Sequence, residues 1–111
     1  MTHNHPGGRS LSEQDLRFAI RSDLLQIRAV TSTHRYWITR PAAGWTPEIA
    51  DILAANVPAA RARIRSSLRM EVAKGLTASW AAEQRLHHLI WTNLAAQGIL
   101  DYGWEPWTRE R

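Results

Sequence analysis

The pattern of hydrophobic and polar positions predicts a mixed α and β segment at the start of the chain. After Ser12, apolar residues recur at helical spacing and predict a helix that ends near Ser22. Apolar and polar residues then alternate over Leu24–Val30, which is typical of a half-buried strand. Aromatic and β-branched residues over Arg35–Thr39 predict a second strand that returns after a turn.

The second segment follows a linker of Pro, Ala and Gly at residues 41–44 and is expected to be helical. Thr46 offers a capping hydroxyl, and Pro47 stands at the first helical position, where proline is favoured. Because proline lacks an amide hydrogen, we expect this helix to be kinked or restarted at Pro58 before it continues to Lys74.

The remainder of the chain predicts a third helix and an aromatic tail. Helical periodicity extends from about residue 78 to 97, with Thr77 as the expected cap. The tail at residues 99–107 is expected to lie back across the helices. We therefore predict an α+β fold in two parts, a helix with a β-hairpin at 1–40 and a helical extension at 41–111.

Composition narrows the functional classes. With 111 residues, 44% of them hydrophobic and 22% charged, the chain has the composition of one globular domain, with or without an appendage. The absence of cysteine excludes disulfides and thiolate metal ligands. No apolar run is long enough to cross a membrane, so a cytoplasmic protein without a membrane partner is expected. A net charge of +4, dispersed along the chain, does not favour nucleic acid as a partner.

Two histidines and one carboxylate near the start of the chain could bind a metal ion. His3 and His5 are two residues apart, so in an extended segment both imidazoles point to the same side. Asp15 falls in the first helical turn, from which the intervening loop can return its carboxylate to the histidines. Three such ligands leave one tetrahedral position for water, as in catalytic zinc sites.

The order H-x-H-P, short loop, S-x-x-D resembles the JAB/MPN (JAMM-type) family of zinc metallopeptidases. The matching residues are His3, His5, Pro6, Ser12 and Asp15. The resemblance implies that His3, His5 and Asp15 hold Zn²⁺ and that Ser12 orients the reacting carbonyl or its oxyanion. It also implies that zinc-bound water attacks the carbonyl of a peptide or isopeptide substrate.

In that family the general base is a glutamate on a strand well upstream of H-x-H, whereas only Met1 and Thr2 precede His3 here. The chain therefore resembles the C-terminal part of such a domain, and we expect no peptidase activity from it alone. Missing upstream residues or a partner chain would have to supply the glutamate. An incomplete sheet also predicts self-association or a complementing partner chain.

Other interpretations of these residues remain open. Ser12 and Asp15 could serve only as a helix cap, and Ser10 with Glu13 forms a second candidate capping box. The histidines could be solvated. The alternative function is a non-enzymatic, phage- or toxin-associated interaction module, in which the basic helices and exposed tryptophans bind a partner.

Histidines and tryptophans of the third helix are expected to have structural roles. His87 and His88 diverge around the helix by about 100°, which predicts one surface and one packed histidine rather than a chelating pair. Trp80 and Trp91 lie near apolar residues and are expected to pack in the core or in a seam between helices.

Overall fold

The computed structural model describes residues 1–5 and 8–107, apart from the side chain of His3. Within these ranges the fold is α+β, as the hydrophobic pattern predicts. Its elements, in chain order, are β1 (Thr2–Asn4), α1 (Glu13–Arg21), β2 (Gln26–Val30), β3 (His34–Thr39), α2 (Pro47–Ala73), α3 (Ser79–Ala96) and β4 (Asp101–Pro106). No helix in the described part is both long and apolar enough to cross a membrane.

The strands form one sheet in the order β1-β2-β3-β4. β1 pairs in parallel with β2, so α1 is the crossover between them, and β2 and β3 form the predicted antiparallel hairpin. β4 pairs antiparallel with β3 from end to end. The prediction that the aromatic tail lies across the helices is therefore wrong, because the tail extends the sheet instead.

Local sequence features explain the limits of α1. Ser12 is its N-cap, and the Ser12 Oγ atom accepts a hydrogen bond of 3.1 Å from the amide of Asp15. The amide of Ser12 in turn donates to Asp15 Oδ2 at 2.8 Å, which completes a capping box. The helix buries Leu16 and Ala19, so its apolar face is the one that the periodicity predicted.

One hydrophobic core joins the two segments predicted from the sequence. Its largest fully buried side chains are Leu11, Ile27, Ile38, Ile90, Trp91 and Leu94. The indole of Trp91 donates a 2.7 Å hydrogen bond to the carbonyl of Leu11, which attaches α3 to the loop before α1. Together with the pairing of β3 and β4, this contact gives the segments 1–40 and 41–111 a common core and a common sheet.

Three further expectations for the helices need correction. α2 is a single helix that contains Pro58, so of the two expected outcomes, a kink or a restart, the restart does not occur. Trp80 is 69% exposed, whereas the sequence pattern placed both Trp80 and Trp91 in the core or in a seam between helices; of the two, Trp91 is buried. The cap of α3 is Ala78, one residue after the predicted Thr77, and it makes no side-chain capping bond.

Candidate metal centre

His5 lies just after β1 and is held in a defined orientation by backbone groups. Its amide donates to the carbonyl of Val30 at 2.9 Å, which continues the strand geometry. Its Nδ1 atom lies 3.0 Å from the carbonyl oxygen of Arg9 and 3.1 Å from that of Ser10. Because a carbonyl oxygen only accepts, Nδ1 carries a proton, and in the neutral ring Nε2 keeps the lone pair that binds metals.

Asp15 presents its carboxylate to this Nε2 atom. The distance from His5 Nε2 to Asp15 Oδ2 is 3.6 Å, and the two side chains are 19% and 13% exposed. Two ligand atoms that each lie ~2.1 Å from a tetrahedral zinc are about 3.4 Å apart. The observed separation is thus close to that of two ligands of one ion.

The third predicted ligand, the side chain of His3, lies outside the described part of the structure. The backbone of His3 belongs to β1 and is in register with Ala29 of β2. Among the described side chains, no group of three or more His, Asp or Glu residues is arranged to hold a metal ion. The structure therefore brings together two of the three predicted ligands, His5 and Asp15.

Ser12 acts as a helix cap in the structure. Its Oγ accepts from the amide of Asp15, so the prediction that these two residues cap α1 is confirmed. The rival capping box between Ser10 and Glu13 is not the one observed, because Ser10 Oγ bonds to the Tyr102 hydroxyl at 2.7 Å and the N-cap is Ser12. The role of Ser12 toward a reacting carbonyl stays a prediction.

Glu13 is held by groups of α2 and α3. Its Oε1 atom forms an ion pair with Arg61, and its Oε2 atom lies 3.6 Å from His87 Nε2. Burial lowers the pKa of His87, while the neighbouring Glu13 carboxylate raises it. The His87 ring also stacks on Trp91. Glu13 therefore has a structural role that leaves it poorly placed to serve as a general base.

A second set of polar groups reaches the candidate centre from the C-terminal segment. His88 Nδ1 lies 2.8 Å from the Tyr102 hydroxyl, and that hydroxyl lies 2.7 Å from Ser10 Oγ. Burial raises the pKa of Tyr102 far above its usual value, so the phenol stays protonated. Since the carbonyl of Ser10 accepts from His5, the contacts extend from His88 to His5.

Sequence reasoning missed this connection because Ser10 and Tyr102 are 92 residues apart. It depends on the pairing of β4 with β3, and the only signal for that strand was the alternation of Tyr102 and Trp104 in the tail. His87 and His88 were expected to divide into a surface and a packed histidine. Both are instead partly buried and make specific polar contacts.

Comparison of the chain with protein-family models, with curated proteins and with solved structures finds no significant match. The likeness to JAB/MPN metallopeptidases accordingly remains a resemblance of motif.

Proposed function

We propose that this chain carries the metal-binding part of a JAB-like, zinc-dependent peptidase or isopeptidase, with His3, His5 and Asp15 as the ligands. The observation that supports this proposal is the pair formed by His5 Nε2 and Asp15 Oδ2, 3.6 Å apart and largely shielded from solvent. Imidazole and carboxylate are ordinary zinc ligands, and the separation fits one tetrahedral ion.

The groups around this pair provide the outer contacts that metal ligands usually have. The carbonyls of Arg9 and Ser10 fix the protonated Nδ1 atom of His5, which directs Nε2 toward Asp15. The amide of Ser12 fixes Asp15 Oδ2. A helix cap requires the contacts between Ser12 and Asp15 but does not require an oriented histidine opposite the carboxylate. The orientation of His5 toward the carboxylate is thus a feature beyond the cap, and a metal site would use it.

Zinc bound there would supply an acidified water, with a pKa of about 7, as the nucleophile. The residues of the chain would hold the ion and support the reacting carbonyl. Ser12 Oγ already accepts from the amide of Asp15, so its own hydroxyl proton can be donated to a developing oxyanion. Protonation of the leaving amine needs a further acid/base group, and Glu13 is engaged with Arg61 and His87.

The proposal consequently assigns the general base to a group outside the described residues around His5 and Asp15, for example one on a partner chain. Purified alone and saturated with zinc, residues 1–111 are expected to hydrolyse no peptide or isopeptide above background. A peptidase assay that found zinc-dependent turnover, lost in His5→Ala, would show that the base lies within the chain.

Metal binding itself can be tested independently of activity by calorimetric titration with zinc. His5→Ala is expected to abolish the specific heat of binding. Asp15→Asn is the sharper variant, because an amide oxygen can still accept from the Ser12 amide and keep the cap while the anionic ligand is lost. His87→Gln is the matched control, since His87 contacts Glu13 rather than Asp15. Wild-type protein without a specific zinc heat, or Asp15→Asn with unchanged zinc affinity, would favour the alternative, a non-enzymatic interaction module.

A further inference from the structure

A separate cavity of about 420 Å³ lies between the turn that joins β2 to β3 and the exposed side of α3. It has more than ten times the ~30 Å³ that one water molecule occupies in the liquid, so it has room for a small organic ligand. Its polar lining consists of Ser32, Thr33, His34, Gln84, Arg85 and His88.

The charges around this cavity are complementary to an anion. Arg85 is cationic, and the imidazoles of His34 and His88 lie in the same lining as hydrogen-bonding groups. No carboxylate belongs to the lining among the described residues. Arg85 does have an acidic partner in α2, Glu71, but the distance of 3.6 Å is long for a charged hydrogen bond and both side chains are well exposed. The guanidinium can therefore turn toward a ligand at little energetic cost.

Hydroxyl groups and the two histidines add directional hydrogen-bond donors. Thr33 Oγ1 lies 2.8 Å from His34 Nδ1, so the turn holds the ring of His34 beside the cavity. The Nδ1 atom of His88 is engaged with Tyr102, and Trp104 packs edge-on against the same ring at 4.8 Å between centroids. His88 is thus fixed by β4 while it lines the cavity from α3.

We propose that this cavity binds a small oxyanion of the phosphate class, free or as a phosphate monoester. Arg85 supplies the charge. The hydroxyl of Ser32 supplies a hydrogen bond to the oxygens, and so do the Nε2–H groups that His34 and His88 carry when their Nδ1 atoms accept from Thr33 and Tyr102. The buried ring of Tyr36, which also lines the cavity, gives an organic group of an ester an apolar wall. The proposal does not depend on the zinc site, because His5 and Asp15 do not line this cavity.

The lowered pKa of His88 agrees with this arrangement. Burial is its main cause, and the nearby His34 and Arg85 lower it further. The ring is therefore partly buried beside the guanidinium of Arg85. A bound anion would favour the protonated ring and would raise the pKa of His88 again.

The test is a titration of the full chain with inorganic phosphate at pH 7, followed by the imidazole signals of the five histidines in NMR spectra. We expect saturable shifts for His34 and His88, with little change for His87, which faces Glu13. Linear, unsaturated shifts, or equal shifts at all histidines, would overturn the proposal.

Two arginine variants test whether phosphate binds in this cavity or responds only to the positive charge of the chain in general. Arg85→Gln is expected to weaken phosphate binding about tenfold or more, the usual loss for one charged hydrogen bond. Arg65→Gln is the matched control, because Arg65 also pairs between α2 and α3, with Glu83 at 3.7 Å, but does not line the cavity. Equal weakening by both variants would contradict the proposal, and circular dichroism checks that each variant folds.

A parallel titration with phenyl phosphate distinguishes the two sources of the anion. Binding tighter than that of inorganic phosphate, and lost in Arg85→Gln, would assign the cavity to a phosphate monoester. Binding of inorganic phosphate alone would assign it to the free oxyanion. Failure of both compounds to bind would overturn the proposal, whatever the outcome of the zinc titration.

Discussion

The candidate metal centre and the phosphate-class cavity are built in different ways. His5, Ser12 and Asp15 lie within eleven positions of one another, and a helix cap and two backbone carbonyls set their geometry. The cavity instead needs the β2–β3 turn and α3, with His88 fixed by β4. A short-range site can be recognised from a motif, whereas a long-range site is visible only once the strands have paired.

The largest expected effect on stability comes from the contact between Trp91 and Leu11, which joins α3 to the loop before α1. Trp91→Ala removes a fully buried indole and leaves the Leu11 carbonyl without its donor, so we expect a loss of about 3–5 kcal/mol in the free energy of unfolding. Urea denaturation measures it. Trp80→Ala, at a position that is 69% exposed, is the control and should change the free energy by less than ~0.5 kcal/mol. A loss in Trp91→Ala as small as that in Trp80→Ala would show that Trp91 is not a core residue.

Tyr102→Phe tests the long-range connection specifically. The change deletes the hydroxyl between His88 and Ser10 and leaves the 2% exposed Ser10 without that partner, at an expected cost of about 1–3 kcal/mol. Tyr36→Phe removes a hydroxyl outside this chain of contacts and is expected to cost less. Thermal unfolding of the two variants ranks them, and a larger loss in Tyr36→Phe would argue against the connection.

These differences explain which features the sequence could predict. The periodicity after Ser12 and the alternation over Leu24–Val30 depend on neighbouring residues, and α1 and β2 lie where those patterns predict them. β1 has only three residues, too few for a period to emerge. β4 contains Gly103 and ends at Pro106, residues that normally argue against a strand.

The structure shows why those two residues are tolerated in β4. The strand is at the edge of the sheet, where a missing amide donor is permitted. Gly103 is opposite Trp37 of β3, and an added Cβ would approach the indole to 2.3 Å. The glycine therefore makes room for a tryptophan that is distant in sequence. No local pattern could have revealed this requirement.

Ser12→Ala tests the short-range site at the level of the helix. Loss of the side-chain acceptor for the Asp15 amide is expected to lower the free energy of unfolding by about 0.5–2 kcal/mol. Ser12→Thr keeps a hydroxyl and should recover most of it. If Ser12→Ala leaves zinc affinity and stability both unchanged, the cap contributes nothing to the candidate centre, which would contradict the geometry.

The smallest expected effect is a pH dependence of stability that originates in the long-range region. Burial, followed by the charges of His34 and Arg85, lowers the pKa of His88 in the folded protein, whereas in the unfolded chain it is about 6.5. Below pH 6.5 the unfolded state binds more protons at this residue than the folded state does. The contribution of neutral His88 to the free energy of unfolding is therefore complete above pH 6.5. It is lost as the pH falls toward the folded pKa.

His87 shifts in the same direction and acts in the same pH window, although its Glu13 partner opposes the shift. Around His88 the other facing groups are the protonated hydroxyl of Tyr102 and the ring of Trp104 from β4, and Tyr36 from β3. Urea unfolding at pH 7.5 and at pH 5.5 should therefore show a smaller pH-dependent loss in His88→Gln than in the wild type. An unchanged loss would assign the pH dependence to other groups and leave His88 without the buried, neutral state that its contacts indicate.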